Sequence, residues 1–182
     1  MEYAFEKRTS PIPLVAGVNR TFFQGRSFLQ PDQLAREALQ RIKSNVIAPL
    51  VRGKRVVIID DSLIRGVVTK TIVSLLRLSG VREVHVRIAS PPPMFPCPYG
   101  IDTYEDELIA RRVNGDKEEV RHFIKADSLQ YLSLEGLQES VIGAKLPPVR
   151  TKDNFCYACF TGEYPVPFEQ NRSVKPNGLP RR

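Results

Sequence analysis

The hydrophobic pattern changes period along the chain, and each change predicts an element. Val56, Val57, Ile58 and Ile59 form a continuous β-branched run, the mark of a strand covered on both faces. Ile72, Val73, Leu75 and Leu76 then recur at helical spacing, with Gly80 as a stop. Val84, Val86 and Ile88 alternate with His85 and Arg87, which predicts a strand with one less buried face. Helical patterns follow over 105–112 and 116–125, the second placing Val120, Phe123 and Ile124 on one side. Leu129, Tyr131 and Leu132 read as a short strand, and Leu134 to Ile142 as a helix. Upstream, Leu34, Ala38, Leu39 and Ile42 repeat at helical spacing behind Asp32, a plausible N-cap, and this helix leads to Gly53 and the strand over 55–60, expected to be the central one. Strands alternating with helices predict an α/β fold with a mostly parallel sheet flanked by helices.

The chemistry concentrates where the first long strand ends. Arg55 to Thr69 reads RVVIIDDSLIRGVVT, so a buried strand runs into two carboxylates and a glycine turn before a helix. Ligands of open parallel sheets bind outside the carboxyl ends of strands, where a helix N-terminus favours an anion. Asp60 and Asp61 can accept hydrogen bonds from vicinal sugar hydroxyls or hold a hard cation such as Mg²⁺. Gly66 permits a nest of N–H donors around a phosphate; Ser62 and Thr69 add hydroxyls, and Arg65 adds positive charge. The alternative is an ordinary strand-turn-helix junction in which Asp60-Asp61-Ser62 caps the helix and binds nothing.

Composition narrows the setting. The chain has 182 residues, 42% of them hydrophobic, enough for one core, and no run of apolar residues long enough to span a membrane. Its first residues, MEYAFEKRTS, lack the apolar core of a secretory signal, so a cytoplasmic location is expected. Net charge is +7, but Arg172, Lys175, Arg181 and Arg182 lie in a terminal stretch without acids. Most of the excess is therefore a basic tail, expected to be solvated and disordered, and no aromatic-interleaved basic surface argues for nucleic acid. The expected organisation is a domain over 1–165 and a tail over 166–182.

Three cysteines form the second chemical group. Cys156 and Cys159 make a C-x-x-C pair in a turn-rich segment, and Cys97 lies far upstream between prolines. In a reducing compartment this leaves metal binding, redox chemistry or packing. His85, on a strand face, and His122, on a charged helix, read as solvated or satisfied side chains rather than general bases.

The loop Asp60-Asp61-Ser62 to Thr69 resembles the ribose-phosphate loop of type I phosphoribosyltransferases. Gly25 to Pro31, Glu83 to Gly100 with Ile101-Asp102-Thr103, Ser133 to Leu137 and Phe155 to Pro165 resemble, in order, amidophosphoribosyltransferases. The resemblance covers most of residues 3 to 165. It implies binding of 5-phosphoribosyl-1-pyrophosphate through Asp60, Asp61, Ser62, Arg65, Gly66, Val67, Val68 and Thr69. Asp60 and Asp61 would serve the ribose hydroxyls and Mg²⁺, with Arg26 contributed by a closing loop. It also implies transfer of the phosphoribosyl group to ammonia in purine nucleotide biosynthesis. The iron-sulfur branch of that family ligates a 4Fe-4S cluster through positions matching Cys97, Cys156 and Cys159, and the fourth ligand falls outside this sequence.

Several departures qualify the resemblance. Val67 and Val68 stand where the family carries two threonines, removing two hydroxyl donors to the 5′-phosphate. Arg20, Phe22 and Phe23 stand where the family's mobile loop carries Lys, Arg and Tyr. No glutaminase domain with its N-terminal cysteine is present, and the first strand of the transferase domain is unmatched, so the domain is expected to be truncated at its N-terminal edge. Glutamine hydrolysis is therefore not expected of this sequence, and ammonia is expected from solution or from a separate glutaminase chain in a homo- or hetero-oligomer. The alternatives are a non-catalytic phosphoribosyl-pyrophosphate-binding regulator and an inactive fragment of the full enzyme.

Overall fold

The computed structural model describes residues 12–20, 44–99, 103, 105–143 and 154–166. Arg26 and the rest of the segment Gly25–Pro31, the Asp32-capped helix, Asp102 and the tail from 167 onwards lie outside the described residues.

Three parallel strands carry the fold. β1 (Val18–Arg20) and β2 (Ser44–Val46) form a separate antiparallel pair, with Val18 opposite Val46. A single helical turn, α1 (Ala48–Val51), leads through Gly53 into β3 (Arg55–Asp60), which pairs in parallel with β4 (Glu83–Ile88). β4 pairs in parallel with β5 (Ser128–Tyr131), giving the order β3-β4-β5. Parallel neighbours need a crossover, and each crossover here contains a helix. α2 (Val67–Leu78) follows β3; α3 (Ile109–Arg112) and α4 (Lys117–Ile124) lie between β4 and β5; α5 (Leu134–Gly143) follows β5. A last turn, α6 (Ala158–Thr161), lies near the carboxyl end.

One face of the sheet makes the core. Val84 and Val86 are fully buried and Ile88 nearly so, and they join Val73 and Leu76 of α2 with Val120 and Ile124 of α4. Each such side chain contributes about 1.5–3 kcal/mol when fully removed from water. The sequence reading of α4 therefore holds, and its start is secured by Asp116, whose Oδ1 accepts the Glu118 and Glu119 N–H groups at 2.8 and 3.2 Å. The helix read over 105–112 is divided instead into a 3₁₀ turn (Glu105–Glu107) and α3. Leu108 between them is buried in an extended conformation, which interrupts the helical hydrogen bonding.

The other face corrects the first expectation. Val57 is 40% and Ile59 74% exposed, so β3 is not covered on both sides. Among the described residues β3 pairs only with β4, so the strand expected to be central lies at the edge of the described sheet and β4 is central, and no described layer lies over Val57 and Ile59. β-branched residues favour a strand whichever face they occupy, so the run specified a strand without specifying its cover. The polar residues of this face satisfy each other: His85 Nδ1 meets Ser128 Oγ at 2.9 Å and Nε2 meets Glu83 Oε2 at 3.1 Å. Arg87 donates to Ser128 Oγ and Arg55 to Glu83. His85 is thus a satisfied strand histidine, as read from the sequence.

Candidate functional site

The loop after β3 is built as the sequence predicted, at the carboxyl end of a parallel strand. Asp60 ends β3, its carbonyl accepts the Ala89 N–H at 2.9 Å, and its Oδ1 accepts the Asp61 N–H at 3.1 Å. Ser62 Oγ donates to Asp61 Oδ1 at 3.3 Å. Leu63, 1% exposed, anchors the loop in the core. The Ile109 N–H from α3 donates to the Ile64 carbonyl at 2.9 Å, fixing the far side.

Gly66 then turns the chain into α2. It adopts φ +71° and ψ −5°, a left-handed conformation that L residues avoid. A Cβ there would lie 3.1 Å from Phe123 Cε1 and 3.2 Å from Ile109 Cδ1, so φ favours glycine and a methyl group would be a tight fit against both side chains. Gly66 is the N-cap of α2 and no side chain caps the helix. The capping part of the junction reading, in which Asp60-Asp61-Ser62 caps α2, therefore does not hold. The first N–H groups of a helix have no intrahelical acceptor, and the helix dipole is positive there. Val67 and Val68 place two of those N–H groups at the turn without adding hydroxyls. Thr69 is only 3% exposed, so of the two predicted hydroxyl donors Ser62 is the more open.

Arg65, predicted to stand beside a phosphate, is paired. Its Nη2 lies 2.5 Å from Glu107 Oε2, with side-chain exposures of 41% and 19%. Sequence reasoning did not single out Glu107, because an acid in the mixed-charge stretch Glu105–Glu107 carries no positional signal until the fold brings it to the loop. Two further polar groups were also missed. Ser90 Oγ, just past β4, and Tyr131 OH, on the last residue of β5, are enclosed without a hydrogen-bond partner. Both belong to strand carboxyl ends, where a ligand is expected. Burial pushes the Tyr131 hydroxyl up to about 12, so it remains a protonated donor at neutral pH.

The three cysteines converge from two segments. Met94 and Phe95 both donate their N–H groups to the Cys159 carbonyl, at 2.9 and 3.0 Å, which ties the Pro-rich stretch to α6. Tyr164 OH donates to the Pro96 carbonyl at 2.5 Å, and the Cys97 N–H donates to Thr103 Oγ1 at 3.0 Å. Tyr99 and Tyr164 pack edge to face with centroids 6.1 Å apart. All three thiols are free. Burial pushes the Cys159 thiol up, and the neighbouring Cys97 and Cys156 push it further in the same direction. The thiols thus share one environment, and thiolate donors of this kind suit an iron-sulfur cluster or a soft metal. They are not drawn into a closed set: among the described residues no group of three or more His, Cys, Asp or Glu side chains is gathered closely enough to hold an ion. Asp60 and Asp61 offer a different donor set, adjacent carboxylates suited to a cation that keeps most of its waters.

α3 links the two regions, since its Ile109 N–H holds the loop and its Arg111 donates to the Met94 carbonyl at 3.0 Å.

A parallel α/β sheet with an acid pair at a strand end and a glycine turn onto a helix is the arrangement expected of a phosphoribosyltransferase fold, and the solved structures similar to this chain place it in that class. One is the glutamine phosphoribosylpyrophosphate amidotransferase from B. subtilis complexed with ADP and GMP: 44% identity, TM-score 0.68, covering 85% of this chain and 33% of that one. Another, described as the allosteric regulatory enzyme of purine biosynthesis, gives 42% identity and a TM-score of 0.70, over 88% of this chain and 34% of that one. Among curated proteins, the amidophosphoribosyltransferase of Bacillus subtilis is 45% identical over 161 residues, covering 88% of this chain and 33% of its own length. The chloroplastic amidophosphoribosyltransferase 1 of Arabidopsis thaliana is 42% identical over 158 residues, covering 86% and 26%. No family model matches. The chain is thus a homologue of part of the amidophosphoribosyltransferases, and it spans about a third or less of the length of these relatives. No helix among the described residues is long and apolar enough to cross a membrane.

Proposed function

We propose that this chain is the phosphoribosyl-transferring portion of an amidophosphoribosyltransferase, binding 5-phosphoribosyl-1-pyrophosphate and passing its phosphoribosyl group to ammonia. The observation that carries the reading is Gly66: a left-handed N-cap, closed in by Phe123 and Ile109, directly after an acid pair at a parallel strand end. That geometry supports a phosphate on the loop N–H groups and hydroxyls on the acids.

In this reading Ser62, Arg65, Gly66, Val67, Val68 and Thr69 surround the 5′-phosphate and so fix the position of C1. Asp60 and Asp61 accept hydrogen bonds from the ribose hydroxyls, and their charge favours the oxocarbenium character that develops at the ring. The ammonia lone pair forms a bond to C1 while the bond from C1 to the pyrophosphate oxygen breaks. Pyrophosphate leaves with the electron pair, and the new ammonium loses a proton to solvent, giving 5-phosphoribosylamine. Asp60 and Asp61 would hold Mg²⁺, which when bound would neutralise charge on the leaving pyrophosphate. Arg26 is the candidate from the closing segment. Ammonia is the nitrogen donor in this reading, in a cytoplasmic setting.

The substitution of two valines at 67 and 68 favours one second reading, a regulator that binds the sugar phosphate without turning it over. Calorimetry with 5-phosphoribosyl-1-pyrophosphate and Mg²⁺, paired with ammonia-dependent pyrophosphate release, separates the two. Binding with release is expected; binding without release favours the regulator, and absence of binding sinks both.

The cysteine content and the shared surroundings of the thiols favour Cys97, Cys156 and Cys159 as the residues that would hold an iron-sulfur cluster. Anaerobic reconstitution should give a visible charge-transfer band that Cys159→Ser abolishes, and a band that never forms in the parent chain retires the cluster.

A further inference from the structure

Residues 107–109 grip three consecutive residues of the sugar-phosphate loop, and we infer that Glu107 is the positioning residue of that grip. The Ile109 N–H holds the Ile64 carbonyl at 2.9 Å, the Glu107 carboxylate meets Arg65 at 2.5 Å, and the Ile109 side chain closes on Gly66. The loop between Asp61 and Val67 is otherwise anchored chiefly by buried Leu63.

Glu107 differs from an ordinary surface ion pair, which contributes little. Its side chain is 19% exposed, and its Oε2 is enclosed with no aligned hydrogen bond. A carboxylate oxygen removed from water without a donor is costly, and Arg65 is the cation against it. Neighbouring Leu108 and Ile109 are buried at 1% and 3%, so Glu107 is delivered by a rigid segment rather than by a swinging side chain. Arg65 keeps donors to spare, because a guanidinium has five N–H groups and Glu107 engages it at Nη2. Glu107 thereby sets where the remaining donors of Arg65 stand relative to the N–H groups of the Gly66 turn. Its effect on ligand passes through Arg65, and that part of the inference rests on the phosphoribosyl reading.

The test compares the parent chain with Glu107→Gln, Arg65→Gln and the double variant, using ribose 5-phosphate in calorimetry and amide hydrogen exchange without ligand. Glu107→Gln should accelerate exchange of the Ile109 amide, which donates to the Ile64 carbonyl of the loop, about ten-fold and weaken ribose 5-phosphate binding by a similar factor, a scale between that of an exposed and of a buried ion pair. Exchange in β4 should stay at the parent level, which reports an intact fold. The double variant should bind no more weakly than Arg65→Gln alone, because the two act as one unit. Ile109 exchange unchanged in Glu107→Gln, or losses that add in the double variant, would overturn the inference. Arg65→Gln must accelerate exchange of the same amide, and it gives the decision should Glu107→Gln fail to fold. A parent chain that ignores ribose 5-phosphate while Glu107→Gln still accelerates Ile109 exchange removes the phosphoribosyl reading and supports the grip.

Discussion

Gly66 is the residue at which conformation, packing and proposed chemistry meet. Its φ of +71° excludes most side chains, and a Cβ would press on Phe123 and Ile109 at 3.1 and 3.2 Å. Gly66→Ala should therefore destabilise the chain by about 1–3 kcal/mol, from backbone strain together with overpacking. Urea denaturation checks the loss, and ribose 5-phosphate binding should fall further than stability alone explains. Much of this residue scale was legible in the sequence. Asp60, Asp61, Ser62 and Gly66 stand where the strand-to-helix pattern put them, since the motif is local and its geometry is set by neighbouring residues. Arg65 was legible only as a charge. Its partner Glu107 lies 42 positions away and needed the fold to find it.

At the scale of elements, one carboxylate joins three of them. Asp127, just before β5, accepts the Val84 N–H of β4 and the Arg77 guanidinium of α2, each at 2.6 Å. Burial pushes its carboxyl up, but the Arg77 contact and the Val84 N–H outweigh burial and leave it below the usual value of 3.8. A carboxyl lowered on folding contributes stability above its unfolded value and loses that contribution as pH falls through the folded value. Asp127→Ala should cost about 1 kcal/mol at pH 7, at the low end for charged hydrogen bonds because the group is partly open to solvent. In denaturation series the gap from the parent should narrow as pH falls below about 3.8. The elements joined here were themselves predictable. Their periodicities identified α2, α4, α5, β4 and β5, whereas the break at Leu108 was not visible, because an apolar residue fits helical spacing whether or not it is helical.

Across the whole molecule, the sheet has two unequal faces. Leu76, fully buried against the inner face, should cost about 2–5 kcal/mol as Leu76→Ala. Ile59, 74% exposed on the outer face, should change stability by no more than about 0.5 kcal/mol as Ile59→Thr. Thermal or urea unfolding of the two variants compares the faces directly, and a large loss at Ile59 would mean that its face is covered in solution. The sequence determined the alternation of strands and helices, the position of the acid-glycine loop and the identity of the three cysteines, because each depends on residues close in the chain. Tertiary structure decided which face of β3 is buried, which acid meets Arg65, and that Cys97 shares an environment with Cys156 and Cys159. Those outcomes depend on segments far apart in sequence, and only the packing of α3 against the loop and of the Pro-rich stretch against α6 brings them together.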